Sequence, residues 1–92
     1  MEIRIGYLAQ VAAAVGTTAE ALELAGSPSA ADALAELRAQ RGSVLDDLVF
    51  DAEGGLLPSI IVCVNNRQIE SPDQEPLSDG DEVFLFSAIS GG

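Results

Sequence analysis

The residues best placed to do chemistry in this sequence are the two glycines that end it, Gly91 and Gly92. Glycine has no Cβ, so such an ending can pass through a channel too narrow for any other residue and present its carboxylate inside another protein. The tail, residues 87–92, can extend roughly 20 Å at ~3.3 Å per residue. We therefore take the Gly92 carboxylate as the candidate reactive group. The segment expected to insert with it comprises Ile89, Ser90 and Gly91. A frayed chain end is the alternative interpretation.

The other reactive side chain is Cys63, the single cysteine of a chain without histidine. Its apolar setting would raise rather than lower the pKa of the thiol, so we expect a structural or interface thiol and not a nucleophile. One cysteine allows neither an internal disulfide nor a thiolate metal cluster. Without a histidine base or a second thiol, we do not expect the chain to be an enzyme on its own.

Several acids crowd one segment, but their spacing does not fit a calcium-binding loop, so we expect a solvated turn and no metal site. Two more acids flank Gly80 in a turn, where they could also help to dock a basic partner. Phosphate-loop, dinucleotide-binding and nucleophile-elbow motifs are absent from the sequence. The crowded acids are Asp46, Asp47, Asp51 and Glu53, and the turn acids are Asp79 and Asp81.

Length and charge restrict the class of protein. Ninety-two residues make one domain with one modest core. Fifteen acids against four arginines, without lysine, give a net charge of −11. This charge would repel nucleic acids and anionic membranes and favour basic partners, although solubility alone could explain it. The isolated thiol, and the lack of a signal peptide or a membrane-spanning apolar run, predict a cytoplasmic protein.

Alternating apolar residues predict five strands, at about residues 2–8, 18–24, 59–64, 67–70 and 82–86. The second of these also permits helix. A short helical turn is expected before Gly16, and the pair Asn65-Asn66 predicts a tight turn. Residues 51–55 and 71–80 are expected to be loops.

The main helix is predicted from a capping box, because Ser29 is followed three residues later by Asp32. Gly42 is the expected end of this helix. Ser43 and Asp46 resemble a second capping box, which predicts a short second helix. The apolar face of the main helix is formed by Ala30, Ala33, Leu34 and Leu37, and that of the second by Val44, Leu45, Leu48 and Val49.

This order of elements predicts an α+β fold. The economical packing is a mixed sheet of four or five strands on one main helix, with the first and last strands adjacent at the centre, which is the β-grasp (ubiquitin-like) arrangement. We expect the domain to span residues 1–86 and an extended tail to span residues 87–92.

Strand alternation predicts an apolar patch on the sheet face away from the helix. If Val83 and Leu85 face the core, then Phe84 and Phe86 face outward. An apolar patch on a small protein usually marks a binding site for a partner. The patch would be absent if loops covered this face of the sheet or if the alternation were inverted. The expected interface residues are Leu8, Ile61, Cys63, Phe84 and Phe86.

Three segments together resemble the MoaD/ThiS family of ubiquitin-like sulfur carriers. They are Tyr7–Val11 running on to Gly16, Val62–Asn66, and Pro76–Val83 followed by the final Gly-Gly. The similarity spans most of the chain. The first segment is most similar to the MoaD branch, whose members are the small subunits of molybdopterin synthase.

The resemblance implies a function for Gly92. An ATP-dependent adenylating enzyme of the ubiquitin-activating type (MoeB-like) would activate its carboxylate, and sulfur would replace the adenylate to give a thiocarboxylate. The tail would enter the large subunit of molybdopterin synthase (MoaE-like), which supplies the catalytic side chains for molybdenum cofactor biosynthesis. The chain would thus be a non-catalytic carrier that binds no cofactor itself, and its sheet face would be the interface.

Two departures from the MoaD pattern leave the pathway open. Ser87-Ala88 stands where MoaD tails often have Pro-Pro, and the tail is also similar to those of ThiS carriers for thiazole synthesis. Typical ThiS chains, however, lack the extra residues around 43–58. Archaeal-type modifiers share the fold and the ending, so conjugation to proteins through Gly92 is a further alternative. The lack of lysine would prevent isopeptide chains built on this protein. A plain interaction domain with an accidental Gly-Gly is the remaining alternative.

Overall fold

The fold is a mixed sheet that packs one face against a helical layer. The computed structural model describes residues 1–46, 48–53 and 55–87. Within these ranges the strands are β1 (Glu2–Tyr7), β2 (Ala19–Glu23), β3 (Ile60–Val64), β4 (Arg67–Ile69) and β5 (Glu82–Ser87). The helices are α1 (Ala9–Val15), α2 (Ala30–Arg41) and α3 (Ser43–Asp46), and a 3-10 turn covers Pro72–Gln74.

The sheet has the strand order β2-β1-β5-β3-β4. β1 and β5 are parallel neighbours at its centre, and every other neighbouring pair is antiparallel. This confirms the predicted β-grasp arrangement, in which the first and last strands lie side by side. Two chain segments far apart in sequence therefore form the middle of the molecule.

Helix α2 begins at the predicted capping box. The Ser29 hydroxyl accepts a hydrogen bond from the Asp32 backbone N–H at 3.3 Å, and the Asp32 carboxylate accepts one from the Ser29 N–H at 2.8 Å. The predicted apolar face is buried in the core. At the other end, Gly42 has a φ of 58° and its N–H donates to the Arg38 carbonyl, so glycine ends the helix as expected.

The second predicted capping box is wrong. Ser43 is the first residue of α3 itself, not the residue before it. The Asp46 carboxylate instead accepts a hydrogen bond at 2.8 Å from Nε of Arg38, one helix earlier. The helix ends at Asp46, so Leu48 and Val49 lie outside it, although Val49 is still buried in the core. A nearby arginine therefore competes for the carboxylate that the capping pattern requires.

The predicted alternation of β1, β3 and β5 is confirmed. Inward-facing side chains of all three strands are buried together with those of α2. Residues alternate between buried and half-buried along the whole of β3 and along β5 as far as Phe86. The buried strand residues are Ile3, Ile5, Tyr7, Ile60, Val62, Val64, Val83 and Leu85.

The last strand runs one residue further than expected. β5 includes Ser87, which pairs with Ile60 at the start of β3. The other residues of the predicted tail lie outside the described residues.

Candidate protein-docking face and carrier tail

The predicted patch residues of three neighbouring strands lie together on the outer face of the sheet. Phe84 is paired with Gly6 on one side and with Cys63 on the other, and Phe86 is paired with Ile61. The side chains of Ile61, Cys63, Phe84 and Phe86 are all half-buried. The structure thus brings four of the five predicted interface residues into two adjacent rows.

The fifth predicted residue, Leu8, lies just beyond β1 at the same end of the sheet. Tyr7 pairs with Leu85, and the Leu8 N–H donates to the Leu85 carbonyl at 3.3 Å. The Leu8 side chain is 47% exposed, which is unusual for a large apolar residue in this structure. Together these five residues form what we call the outer patch: Leu8, Ile61, Cys63, Phe84 and Phe86.

Gly6 allows the Phe84 ring to lie close against the sheet. A Cβ built on Gly6 would be 2.3 Å from Cε1 of Phe84 and 2.5 Å from its Cδ1. Such distances are far inside normal carbon–carbon contact, about 3.5–4.0 Å. The ring therefore occupies the space that any other residue at position 6 would need. No local sequence pattern indicates this contact, because Gly6 and Phe84 become neighbours only through the pairing of β1 with β5.

The outer patch lies at the end of the sheet where β5 ends with Ser87. β1 and β5 run parallel, so Leu8 and Phe86 lie at the same end, and Ile61 of antiparallel β3 joins them there. Ser87 directly follows Phe86 in the same strand. A protein covering the patch would therefore also be positioned to receive the chain that follows Ser87.

The predicted reactive group and insertion segment lie outside the described residues. They comprise Ile89, Ser90, Gly91 and Gly92, and their proposed roles stay predictions. The interface role of the outer patch also stays a prediction, although its assembly on one face is observed.

An ion pair borders the patch at the opposite end of the same two central strands. Arg4 of β1 and Glu82 of β5 are paired in register, with 4.0 Å between Nε and a carboxylate oxygen. Both side chains are well exposed, so the pair contributes little to stability. Its main effect is to place charge beside an apolar surface.

The turn before β5 holds the central strands in register. The Asp81 carboxylate accepts hydrogen bonds from the Ser78 backbone N–H at 2.8 Å and from the Asn65 side chain at 3.0 Å. These two bonds lower the pKa of Asp81, the backbone bond having the larger effect. The Asp79 carboxylate accepts a bond from the Glu2 N–H at 2.7 Å. The turn acids are therefore structural, as the turn interpretation predicted.

A polar network connects the last residue of β1 with β2 and α2. The buried hydroxyl of Tyr7 donates to the carboxylate of Glu20 on β2, and that carboxylate also forms an ion pair with Arg41 of α2 at 2.8 Å. Burial, followed by the bond to Glu20, raises the pKa of Tyr7. The network joins two strands and a helix immediately before Leu8, so it positions that part of the patch.

Among the described residues, no group of three or more acids and cysteines could hold a metal ion, and no helix is long and apolar enough to cross a membrane.

In the loop after α3, the Asp51 carboxylate accepts hydrogen bonds from the backbone N–H groups of Glu53 and Gly55, each at 2.9 Å. This is the expected turn geometry. Asp47 lies outside the described residues.

The strand order and the single main helix define the class of protein: small domains of the ubiquitin-like β-grasp fold. The ThiS family model matches residues 5–92, and the chain belongs to the ThiS family. It is thus a sulfur-carrier protein of the ThiS/MoaD type.

The chain is also similar to individual proteins along its whole length. The chain is 26% identical, over the whole of both chains, to the molybdopterin synthase sulfur carrier subunit of Chlamydomonas reinhardtii. It is similar to small archaeal modifier protein 1 of Haloferax volcanii, with 27% identity, full coverage of both chains and a TM-score of 0.88. It also shares its fold with Urm1 of Trypanosoma brucei, with 24% identity, 99% of this chain and 95% of the other covered, and a TM-score of 0.77.

Proposed function

We propose that this protein carries sulfur as a thiocarboxylate on Gly92 and donates it for molybdopterin synthesis, as the small subunit of molybdopterin synthase. The observation that carries the proposal is the outer patch, which lies at the end of the sheet where β5 ends with Ser87. The full-length similarity to a molybdopterin synthase sulfur carrier subunit supports the choice of pathway.

The proposed chemistry begins with a poor electrophile. A terminal carboxylate is ionised at neutral pH and resists attack. A partner adenylating enzyme of the MoeB type uses ATP to join the Gly92 carboxylate to AMP, with release of pyrophosphate. A reduced sulfur nucleophile then displaces AMP, so that one carbon–oxygen bond is replaced by a carbon–sulfur bond. The carrier supplies the acyl group and the docking surface, and it binds no cofactor.

The outer patch serves both partners in succession. Burial of its two aromatic rings and the neighbouring aliphatic side chains supplies the affinity, because apolar burial contributes about 25 cal/mol per Å². A partner docked on the patch would lie beside Ser87 at the end of β5 and would receive the residues that follow it, the adenylating enzyme first and the MoaE-like large subunit afterwards. We place these reactions in the cytoplasm, where an isolated thiol such as Cys63 stays reduced.

Intact mass of the chain from its native cells, kept non-reducing, tests the proposal. We expect a species in which one oxygen has been exchanged for sulfur, and its loss when Gly92 is deleted. Molybdenum-enzyme activity should disappear in the deletion strain, whereas thiazole synthesis should persist. If molybdenum-enzyme activity, thiazole synthesis and conjugation all survive the deletion, the carrier role is wrong. Loss of thiazole synthesis alone would assign the chain to the ThiS-like pathway instead.

A matched pair of variants tests the docking face. Phe86→Asp places a charge within the outer patch, and Ala21→Asp places the same charge on β2, at an exposed position of the same sheet outside the patch. We expect only Phe86→Asp to prevent thiocarboxylate formation by the adenylating enzyme, with both variants folded by circular dichroism. Equal activity of the two variants would contradict docking through the patch.

A second function is conjugation to other proteins through Gly92. The similarity to small archaeal modifier protein 1 along the whole chain favours it. Heavier adducts of the chain, with Gly-Gly remnants on lysines of other proteins, would support this function. Sulfur transfer and conjugation share the adenylation step, so the mass measurement distinguishes their products and not their activation.

A further inference from the structure

The helical side of the molecule has a groove unrelated to the outer patch. Its volume is about 710 Å³, and it runs beside α2, between the segment that follows α3 and the 3-10 turn after β4. The apolar face of α2 packs in the core with the inner face of the sheet, whereas the outer patch is on the opposite face. A protein docked on the patch therefore leaves the groove open.

The groove has an apolar floor with small side chains along one wall. Ala31, Ala35 and Ala39 line it at intervals of one helical turn, so they share one face of α2. Leu34 and Phe50, each 4% exposed, form part of its base. Small side chains reduce the distance at which a second helix can pack, since interaxial distances depend on the residues at the contact.

The charge of the groove is negative. Arg38 is its one lining cation among the described residues, and its Nε already donates to Asp46 at 2.8 Å. The guanidinium also lies 5.6 Å from the centre of the Phe50 ring. Glu70 and Asp73 are exposed on the rim, and in the described part of the chain neither side chain has a hydrogen bond or an ion pair. The charge still available to a partner is therefore acidic.

We propose that this groove binds a basic amphipathic helix of another protein, one distinct from the partner that covers the outer patch. Apolar side chains of that helix would fill the floor beside α2, and its lysines or arginines would meet Glu70 and Asp73. α2 has twelve residues and is thus about 18 Å long, which matches roughly three turns of a partner helix. A second copy of this chain fits poorly, because each copy carries a net charge of −11.

The test uses the full chain and two synthetic probes of equal length. One is an amphipathic helix with leucine on one face and lysine on the other, and the second has glutamate in place of lysine. We expect the lysine probe to bind in fluorescence anisotropy and the glutamate probe not to bind. NMR shift changes on binding should map to α2 and the 3-10 turn.

Two matched pairs of variants separate groove binding from general attraction to an acidic protein. Ala39→Trp fills the groove, whereas Gln40→Trp places the same ring on the next residue, which does not line it. We expect Ala39→Trp to weaken binding at least tenfold and Gln40→Trp to change it less than twofold. Likewise, Glu70→Gln with Asp73→Asn should weaken binding more than Glu2→Gln with Glu23→Gln, which removes two acids that are paired across β1 and β2.

Several results would overturn the proposal. Absence of binding by the lysine probe would do so, as would equal effects within either pair of variants, which would indicate non-specific charge attraction. Shift changes confined to the outer patch would assign the probe to the sheet face. A dimer in analytical ultracentrifugation that Ala39→Trp disrupts would show that a second copy occupies the groove. Circular dichroism of each variant shows whether the fold is retained.

Discussion

Substituting alanine for Gly6 tests whether the absence of a side chain at position 6 allows the Phe84 ring of the outer patch to pack against the sheet. Gly6 is not among the residues with a positive φ, so the backbone at this position accepts any residue. The three atoms nearest to the site of the new Cβ all belong to the Phe84 ring, whose Cε1 is 2.3 Å away. Restoring a normal contact of about 3.5 Å requires the ring to move by about 1.2 Å.

The expected free-energy change combines two effects of opposite sign. Inserting a methyl group into a packed site costs about 1–3 kcal/mol. Replacing glycine by alanine reduces the entropy of the unfolded chain and stabilises by about 0.4–1 kcal/mol. The Phe84 ring is half-buried and can swing outward, which keeps the strain toward the lower end of its range. We expect Gly6→Ala to lower the free energy of unfolding by about 1 kcal/mol.

A double-mutant cycle with Phe84→Ala isolates the contact. Guanidinium unfolding followed by circular dichroism gives the free energy for the native chain, both single variants and the double variant. Without the ring, Gly6→Ala should become neutral or stabilising by up to about 1 kcal/mol. The coupling energy should then be about 1–2 kcal/mol. An equal cost of Gly6→Ala with and without the ring would refute the reasoning, because the glycine would then serve some other purpose.

Three further predictions concern the elements that support the patch. Tyr7→Phe removes the buried hydrogen bond to Glu20 and should lower the free energy of unfolding by about 1–3 kcal/mol in a urea titration. Burial raises the folded-state pKa of Tyr7, so its stabilising contribution is complete below about pH 10 and declines above it. Ultraviolet absorbance of this single tyrosine should therefore show its ionisation only together with unfolding. Ionisation of Tyr7 in the folded protein near pH 10 would contradict this prediction. The Ser78 N–H is the main cause that lowers the folded-state pKa of Asp81, so the stability that Asp81 contributes is present above about pH 4 and lost as the pH falls through the folded pKa. Asp81→Asn should therefore reduce the dependence of the unfolding free energy on acid pH. An unchanged pH profile would show that other carboxylates cause this dependence. Leu37→Ala leaves a cavity beneath α2 and should lower the free energy of unfolding by about 2–5 kcal/mol, whereas a loss under 1 kcal/mol would mean that the core collapses around it.

Local patterns were sufficient for the elements whose chemistry is local. The capping box of α2, the helix end at Gly16 and the turn at Asn65-Asn66 were all predicted from neighbouring residues, and the structure gives Gly16, Asn65 and Asn66 positive φ. The second capping box failed because its carboxylate had a competitor that the pattern does not include. Arg38 reaches Asp46 only because α2 and α3 are packed together, and residue spacing carries no information on that contact.

The placement of the patch residues on one sheet face was predictable, because strand alternation fixes which side chains face outward once the core face is known. The roles of its neighbours were not predictable in the same way. Gly6 and Phe84 are separated by most of the chain, and only the parallel pairing of β1 with β5 makes them adjacent. The groove beside α2 depends likewise on how the segments after α3 and β4 meet the helix.

The sequence by itself determined the strands and helices, the outward-facing apolar residues and the resemblance to sulfur carriers, because these follow from periodicity, turn chemistry and motif. Tertiary structure alone decided that Gly6 makes room for the Phe84 ring, that Asp46 binds Arg38, and that an acidic groove opens on the helical side. The physical reason is that side-chain contacts between distant segments depend on strand register and helix packing, which fix distances to within an ångström. Residue spacing in the sequence specifies which way side chains face along one strand or helix, but it does not specify the distance between two such elements.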